Sequence, residues 1–301
     1  MSLFLQKVHK GVKQTAQTYV FHGAPGIGKT TFAAQFPSPI IADLEDGSKH
    51  LDVARLTSQD IPNYKELVSF TQELAKASHD YKTLVIDSAT VLESYVHKHL
   101  CGDKYETIED VGGGFGKGYQ MAREELQKFM QLCRALTSNS INVIICAHSQ
   151  VKSFTDPLTN SSYDRYIIQT NAKFAEILTS AADNVFFMKH AVDTVVDQKT
   201  KKTQAFGSGK RLLMTEWRPA YEAKNRLNLP SELPLDYAAF LSAIEMSKPK
   251  SADELIKEIK AMLAKADDQN RAIATQKLQE AGDNVNALLR IKTKLSTMVT
   301  V

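Results

Sequence analysis

Residues 23–30, which read Gly-Ala-Pro-Gly-Ile-Gly-Lys-Thr, constrain the fold of this chain more than any other stretch. They satisfy the pattern G-x-x-x-x-G-K-[ST], in which the glycines let the backbone approach phosphate oxygens closely. An apolar run at 18–22 precedes the motif, and a run that permits helix follows at 31–36. Such a strand–loop–helix unit presents free backbone N–H groups and a helix dipole to an anion. The motif therefore predicts a nucleoside triphosphate site.

Nine consecutive residues are predicted to contact the nucleotide. The Lys29 ammonium adds a full positive charge beside the phosphates, and the Thr30 hydroxyl is expected to bind Mg²⁺. The nine residues are Gly23, Ala24, Pro25, Gly26, Ile27, Gly28, Lys29, Thr30 and Thr31. ATP and Mg²⁺ are therefore the expected cofactors.

A short run of β-forming residues further along the chain ends in a carboxylate. Residues 83–86 read Thr-Leu-Val-Ile, and Asp87 follows them. In P-loop NTPases a strand of this kind places an aspartate beside the Mg²⁺ ion that the P-loop hydroxyl also holds. The predicted metal ligands are therefore Thr30 and Asp87.

An acidic stretch, Asp-Leu-Glu-Asp-Gly at 43–47, follows a second short apolar run at 40–42. Acidic residues at the C-terminal ends of parallel strands face the crevice in which open α/β sheets bind their ligands. A carboxylate placed there can reach a γ-phosphate bound one strand away. This stretch is therefore a candidate source of a catalytic carboxylate.

The middle of the chain alternates between helical and strand patterns. Helical periodicity marks three segments, 64–77, 121–139 and 172–181. Apolar runs typical of buried strands occupy 141–147 and 184–188. The segments 100–118 and 151–170 follow neither pattern, and we expect irregular, functional loops there.

An antiparallel hairpin with a basic tip is predicted beyond these elements. Segments 192–196 and 204–206 flank the lysine-rich residues 199–202, and a further strand is expected at 211–215. Between residues 198 and 226 eight basic residues stand against two acidic ones, although the net charge of the chain is only +3. Positive charge is therefore local, and a bulk field that would attract polyanions is excluded.

The composition changes near residue 247. Residues 247–251 read Ser-Lys-Pro-Lys-Ser, and a helical pattern rich in alanine, leucine and lysine follows. We predict a P-loop core at 1–246, a linker at 247–251 and a helical tail at 252–301. The tail carries no recognisable chemistry and is expected to form a small bundle or a pair of partner-binding helices.

The chain has no apolar run of the length that a signal peptide or a membrane span needs, so a cytoplasmic protein without a membrane partner is expected. Its three cysteines, Cys101, Cys133 and Cys146, form no C-x-x-C pattern, which suits a reducing compartment. His97, His99 and Cys101 lie two residues apart, a spacing that fans ligands apart on a helix. A zinc site is therefore not expected.

The order of these parts resembles the RecA/RadA recombinase core over roughly residues 15–245. The P-loop is followed by the acidic stretch, by Asp87-Ser-Ala-Thr, by a glycine-rich loop and a long helix, and by a strand that ends in His148-Ser-Gln. Ala147-His148, with Phe154-x-Asp-Pro and Tyr163-Asp-Arg-Tyr, is similar to the core-only ATPases of phage recombination modules, the single-strand-annealing type. The resemblance implies a RecA-like α/β fold: a mostly parallel central sheet flanked by helices, an antiparallel C-terminal hairpin extension and a small helical tail. A phage-encoded member would work in the host cytoplasm.

The resemblance also implies catalytic roles. Glu45 matches the family's glutamate that orients or deprotonates the attacking water, with Asp43 and Asp46 as alternatives. Gln150 matches the residue that senses the γ-phosphate, although His148 lies nearer the strand end and could do so instead. The choice between these two residues stays open.

In that family the loops after the Asp strand and the Gln strand line the path of DNA. Here they correspond to about 103–118 and 151–170, where aromatic rings would stack on bases and basic groups would bind phosphates of single-stranded DNA. The predicted contacts are Phe115, Lys117, Lys152, Phe154 and Arg165. Acidic residues in both loops oppose this interpretation electrostatically.

Lys224 and Arg226 resemble the Lys-x-Arg pair with which RecA-like rings reach the nucleotide of a neighbouring subunit. A homo-oligomer, either a ring or a filament, is therefore expected. Because the first strand begins near residue 18, we expect no N-terminal DNA-binding or polymerisation domain. This favours annealing, or assistance to other recombination or replication proteins, over autonomous strand exchange.

The sequence thus predicts a Mg²⁺-dependent ATPase that binds single-stranded DNA in recombination, annealing or replication. One alternative is a nucleotide-switched assembly ATPase that binds no nucleic acid, which the acidity of the loops favours. Another is a nucleotide or metabolite kinase, although a cluster of lid arginines is missing before His148.

Overall fold

Buried parallel strands organise the larger part of the structure, a computed structural model that describes residues 4–8, 15–196, 203–248, 250–264 and 268–299. Contacts divide the chain into two units, residues 13–247 and residues 1–12 with 248–301. The larger unit is an α/β sandwich of helices around a sheet, and the smaller unit is helical.

The sheet contains nine strands within the described residues. They are β1 (Thr18–Gly23), β2 (Pro39–Asp43), β3 (Ala54–Thr57), β4 (Thr83–Asp87), β5 (Asn142–Thr155), β6 (Ser162–Ile168), β7 (Asn184–Val196), β8 (Thr203–Met214) and β9 (Glu232–Pro234). Their order is β3-β2-β4-β5-β1-β7-β8-β9, with β6 paired to β5 alone. The first six strands in this order, β3, β2, β4, β5, β1 and β7, run parallel to one another. Strands β8, β9 and β6 pair antiparallel with their neighbours. The predicted fold class, a mostly parallel sheet with antiparallel strands on the C-terminal side, is confirmed.

Among the described residues of the larger unit, six α-helices accompany the sheet. They are α1 (Lys29–Ala33), α2 (Tyr64–Lys76), α3 (Ala89–Cys101), α4 (Lys117–Ser138), α5 (Ala172–Ala181) and α6 (Tyr237–Ser247). Helices α2 to α5 pack against one face of the sheet, and α1 and α6 pack against the other. Because both faces are covered, the central strands consist of continuous apolar runs.

Alternate residues of β1 illustrate how the two hydrophobic cores form. Val20 belongs to the core under α2 to α5, whereas Tyr19 and Phe21 belong to the core under α1 and α6. In the second core Phe21 stacks on Phe186 with 6.1 Å between ring centroids, and Phe240 of α6 packs edge-on to Phe186 at 6.2 Å. Truncating such a buried ring to alanine costs about 3–5 kcal/mol. The ring cluster therefore fixes β1, and with it the start of the P-loop.

The segment 151–170 differs from its expected irregular structure. Strand β5 continues outward to Thr155, and β6 returns beside it as an antiparallel hairpin. Cross-strand pairs explain the difference, because Phe154 lies opposite Tyr163 and their rings stack 6.4 Å apart. Aromatic pairs of this kind stabilise an antiparallel ladder even where one face is exposed. The segment 102–116, by contrast, contains only turns and one short 3₁₀ helix.

Strands β7 and β8 form the antiparallel hairpin that the sequence predicts, with Val196 paired to Thr203. The predicted basic tip at 199–202 lies outside the described residues. The helical unit contains α7 (Ala252–Leu263), α8 (Asp268–Ala281) and α9 (Val285–Val299), packed through Leu255, Ile259 and Leu288. A capping box between Ser251 and Glu254 begins α7. Throughout the described parts of the chain, every helix is too short or too polar to cross a bilayer.

Candidate nucleotide-binding site

The P-loop connects β1 to α1 at the carboxyl edge of the parallel strands. The Lys29 side chain is 5% exposed, and its Nζ donates to the carbonyl oxygens of Gly23 at 3.2 Å and Ala24 at 3.0 Å. The loop is thereby closed around the ammonium group. A Cβ on Gly23 would lie 2.4 Å from the Met188 carbonyl oxygen, so only glycine fits between β1 and β7.

Thr30 and Asp87, the two predicted metal ligands, lie in direct contact. The Thr30 hydroxyl donates to Oδ2 of Asp87 across 2.5 Å. Burial raises the pKa of the Asp87 carboxyl, and the hydrogen bond from Thr30 opposes that rise. A hydroxyl and a carboxylate are hard oxygen ligands, which fit Mg²⁺ bound partly by the protein and partly by phosphate and water. Among the described residues there is no cluster of three or more His, Cys, Asp or Glu side chains that would form an all-protein metal centre.

Glu45 lies in the turn after β2, with its carboxylate between Ser88 and His148. The Ser88 hydroxyl donates to Oε1, and Nε2 of His148 lies 3.3 Å from Oε2. The hydrogen bond from His148 is the main cause that lowers the pKa of Glu45, and the bond from Ser88 adds to it. Glu45 is therefore ionised at neutral pH, as a base that activates water requires.

His148 connects Glu45 to the P-loop lysine. Its Nδ1 lies 3.4 Å from Nζ of Lys29, on the ring edge opposite the contact with Glu45. A carboxylate only accepts and an ammonium only donates, so the geometry assigns a donating N–H to Nε2 and an accepting lone pair to Nδ1. Register explains the proximity, because His148 of β5 pairs with Gly23 of β1.

Asp43 and Asp46, the alternatives to Glu45, are occupied in holding the turn. Asp43 is fully buried and accepts the backbone N–H groups of Gly47 and Ser48, each at 2.9 Å. Asp46 accepts the Ser58 hydroxyl at 2.5 Å. The turn therefore presents Glu45 to the site, while the two aspartates fix its backbone.

Gln150 lies exposed, two residues beyond His148, where β5 pairs with β6 opposite Ile167. Lys224 donates to the carbonyl oxygens of Thr179, Ser180 and Ala182, so it caps the C-terminal end of α5. Arg226 forms a 2.8 Å ion pair with Asp183. Within this chain, neither member of the Lys-x-Arg pair is brought to its own P-loop by these contacts.

The five predicted DNA contacts fall on two separate elements. Phe115 is fully exposed within the turns at 102–116, and Lys117 begins α4 directly after them. The other three are Lys152, Phe154 and Arg165 of the β5–β6 hairpin. Lys152 lies opposite Arg165 and Phe154 lies opposite Tyr163, so the alternation along a strand places all four on one face.

Two residues near these sites were not predicted from the sequence. The Arg211 guanidinium donates to the Ile27 carbonyl oxygen in the P-loop at 3.0 Å. The Trp217 ring covers the Arg165 guanidinium at 5.0 Å. Trp217 is the only tryptophan in the sequence, and that rarity could have marked it as a candidate site residue. The sequence around Arg211 contains no feature that indicates its partner Ile27, which lies 184 residues away.

Comparison with known protein families gives a match that covers most of the chain. The family model described as an AAA domain matches residues 15–227. The matched segment contains the P-loop, Glu45, Asp87, His148 and the β5–β6 hairpin. No curated protein matches the chain.

Proposed function

The chain belongs to the AAA domain family of P-loop ATPases, and we propose that its ATPase activity requires Mg²⁺ and responds to single-stranded DNA. Family membership accounts for nucleotide hydrolysis in general terms. The proposed biological setting is recombination, single-strand annealing or replication, as in the phage recombination ATPases that the sequence resembles.

Hydrolysis is assigned to the groups around the P-loop. Lys29 and the loop N–H groups bind the phosphates, and Thr30 and Asp87 would hold Mg²⁺, which would stabilise the charge on the transferring phosphoryl group. Glu45 accepts a proton from the attacking water, since its lowered pKa keeps the carboxylate ionised and Ser88 and His148 hold it in place. His148 contacts both Lys29 and Glu45, and we assign it the γ-phosphate sensing role in preference to Gln150.

One observation supports the DNA assignment above the others: two cations and two aromatic rings share one face of the β5–β6 hairpin. The pairs Lys152–Arg165 and Phe154–Tyr163 follow each other along the ladder. The Arg165 guanidinium lies over the Phe154 ring at 5.5 Å and under the exposed Trp217 ring. Proteins use this combination to bind single-stranded nucleic acid, because aromatic rings stack on bases and cations neutralise phosphates.

The hairpin also offers a route between DNA and nucleotide. Strand β5 is continuous from His148, which contacts Lys29 and Glu45, to Lys152 and Phe154 on the hairpin face. The inner part of β5 is paired with β1 and β4 and the outer part with β6, and a rigid element of this kind can carry energetic coupling between two sites. We therefore propose that DNA binding and ATP binding favour the same arrangement of β5.

The experiment uses the single tryptophan. Titration with oligo-dT is expected to quench Trp217 fluorescence, with an affinity that falls steeply as salt is raised. Arg165→Ala and Lys152→Ala should each weaken binding and abolish DNA stimulation of the ATPase rate. The matched control is Lys82→Ala, an exposed lysine directly before β4, at the amino end of the parallel strands. Unchanged fluorescence and an ATPase rate indifferent to DNA at low salt would remove the DNA assignment.

A second candidate function rests on the turns at 102–116. Their exposed carboxylates, Asp103, Glu106, Glu109 and Asp110, disfavour DNA on that side of the molecule. A nucleotide-switched assembly ATPase without nucleic acid would explain this surface. The same titration separates the two functions, because the switch predicts a nucleotide-dependent change in oligomeric state with no response to oligo-dT.

A homo-oligomer is part of the proposal. Lys224 and Arg226 lie away from the P-loop of their own chain, and a neighbouring subunit's nucleotide is the ligand that would use Arg226. An arginine supplied in this way can accelerate phosphoryl transfer by about 10³-fold or more. Sedimentation of the protein with a non-hydrolysable ATP analogue is expected to show a ring or filament.

A further inference from the structure

Arg211 reaches from strand β8 to the outside of the P-loop, where its guanidinium donates to the Ile27 carbonyl oxygen at 3.0 Å. We propose that Arg211 is a positioning residue of the nucleotide site, which fixes the Ile27–Gly28 peptide in the orientation that binds phosphate. It acts within one chain, in contrast to the role proposed for Arg226 across a subunit boundary.

The argument begins with the geometry of one peptide bond. In a trans peptide the C=O and the following N–H point in opposite directions. Because the Ile27 carbonyl is turned toward Arg211, the Gly28 N–H is turned away from it. The N–H groups of a P-loop bind phosphate oxygens on that opposite, concave side. Arg211 therefore holds one of the anion-binding donors in place before the nucleotide arrives.

Gly28 supports this assignment independently. Its φ of +105° lies in the left-handed region, which glycine adopts without strain. A Cβ at this position would also lie 2.6 Å from a terminal nitrogen of Arg211. The guanidinium is thus packed directly against the glycine face of the loop.

The support for Arg211 is itself rigid. Its backbone pairs with His190 of β7, and its carbonyl oxygen accepts the N–H of Leu235 at 2.9 Å. The side chain therefore extends from a sheet strand that is held on both sides. A guanidinium stays charged in proteins and has five N–H donors, so bonds remain available after the one to Ile27. Its charge adds to the attraction that the loop exerts on phosphate.

The test is nucleotide affinity measured by calorimetry, with ADP and with a non-hydrolysable ATP analogue, in the absence of nucleic acid. Arg211→Ala is expected to weaken both ligands by about tenfold, because one preorganised donor and one charge are lost. Arg211→Lys should recover part of that loss, since an ammonium keeps the charge and one donor. Arg218→Ala is the control, because Arg218 is exposed and pairs with Glu216 instead.

Steady-state kinetics separates positioning from a merely structural role. A donor that binds ground state and transition state alike raises KM and leaves kcat nearly unchanged. We expect KM for ATP to rise about tenfold in Arg211→Ala, with less than a threefold change in kcat and an unchanged unfolding temperature without nucleotide. Affinities within twofold of the wild type would overturn the inference. The inference would also be overturned if a lowered unfolding temperature of Arg211→Ala accounted for the whole loss of affinity and Arg211→Lys did not restore that temperature.

The inference does not depend on the DNA assignment. It requires only that nucleotide binds at the P-loop, which the wild-type titration establishes in the same experiment. If the wild type binds ADP well but oligo-dT poorly, the proposed role of Arg211 still stands. If the wild type binds oligo-dT but not ADP, that role is ruled out.

Discussion

The Thr30 hydroxyl donates a hydrogen bond to the Asp87 carboxylate, with 2.5 Å between the two oxygens. Thr30 belongs to the first turn of α1 and Asp87 ends β4, so the contact joins the P-loop to a strand two places away in the sheet. Both oxygens are hard ligands of the type that Mg²⁺ prefers. The proposed metal ligands are therefore joined by a contact that holds the loop against the sheet.

Thr30→Val should raise the Mg²⁺ concentration that half-saturates ATPase activity. Valine keeps the branched shape and removes the ligand oxygen, and a loss of roughly 1.4 kcal/mol corresponds to a tenfold shift. The measurement is a Mg²⁺ titration at saturating ATP. Thr275→Val, at an exposed position of α8 outside the P-loop, is the control and should leave the titration unchanged. A Thr30→Val curve that overlays the wild type would place the metal elsewhere.

Glu45→Gln should lower kcat by about 10²-fold or more, because an amide cannot accept the proton of the attacking water. Nucleotide affinity should change little, since the Gln side chain keeps the shape between Ser88 and His148. Single-turnover hydrolysis and ADP titration measure the two quantities separately. Asp46→Asn is the comparison, because Asp46 is bonded to Ser58 in the same turn. Full hydrolysis in Glu45→Gln would move the base to another group.

Lys29→Ala should lower the affinity for nucleotide by about 10²-fold. Without nucleotide, the variant should be at least as stable as the wild type. The ammonium supplies charge-assisted bonds to phosphate. Burial lowers the pKa of Lys29, which means that the folded protein holds this charge at a cost. Nucleotide calorimetry and thermal unfolding without ligand check the two parts. A variant that loses affinity only because it unfolds would contradict the assignment, and circular dichroism identifies that case.

His22 should make the protein less stable as the pH falls from about 6.5 to 4. The ring is fully buried in β1, and burial lowers its pKa to about 4. Between these pH values the unfolded chain binds a proton that the folded chain excludes, so the free energy of unfolding falls as the pH falls. The free energy of unfolding falls by about 3 kcal/mol in total. This loss is complete near pH 4 and is absent above the pKa of the unfolded chain, about 6.5.

Denaturant unfolding of His22→Gln at pH 7 and pH 5 measures this contribution. A glutamine amide can still donate to the Glu222 carbonyl oxygen, which accepts from the ring at 2.8 Å. The stability difference between the two pH values should be smaller in His22→Gln than in the wild type. His50→Gln, at an exposed position, provides the baseline. Equal pH dependence in all three proteins would show that His22 binds its proton in the folded state.

Mixing two inactive variants should restore activity if the arginine acts between subunits. Lys29→Ala lacks a working nucleotide site, and Arg226→Ala lacks the cation offered to a neighbour. In a mixed oligomer some interfaces combine an intact P-loop with an intact Arg226, so the ATPase rate should exceed that of either variant alone. Arg226 is preferred to Lys224 because Lys224 also caps α5 and its removal would destabilise the fold. If the ATPase rate of the mixture equals the sum of the rates of the two variants, Arg226 does not act on a neighbouring subunit and only pairs with Asp183.

The parts of the site that the sequence predicts are those in which the chemistry is contiguous. Eight adjacent residues specify the P-loop, and a five-residue strand, β4, carries Asp87 at its end. The sequence predicts irregular structure for 151–170, and that prediction is wrong because the pairing of Phe154 with Tyr163 forms only when the two strands of the hairpin meet.

Local patterns, apolar runs and glycine spacing by themselves determined that this chain forms an α/β sheet with a phosphate-binding loop and a strand-end aspartate. Tertiary structure alone decided that His148 lies between Lys29 and Glu45, which is 103 residues earlier in the chain. It also decided that Arg211 supports the P-loop and that Lys152 shares a face with Arg165. The physical reason is that such contacts depend on strand order and register, which arise when the whole core packs and are not encoded within any one segment.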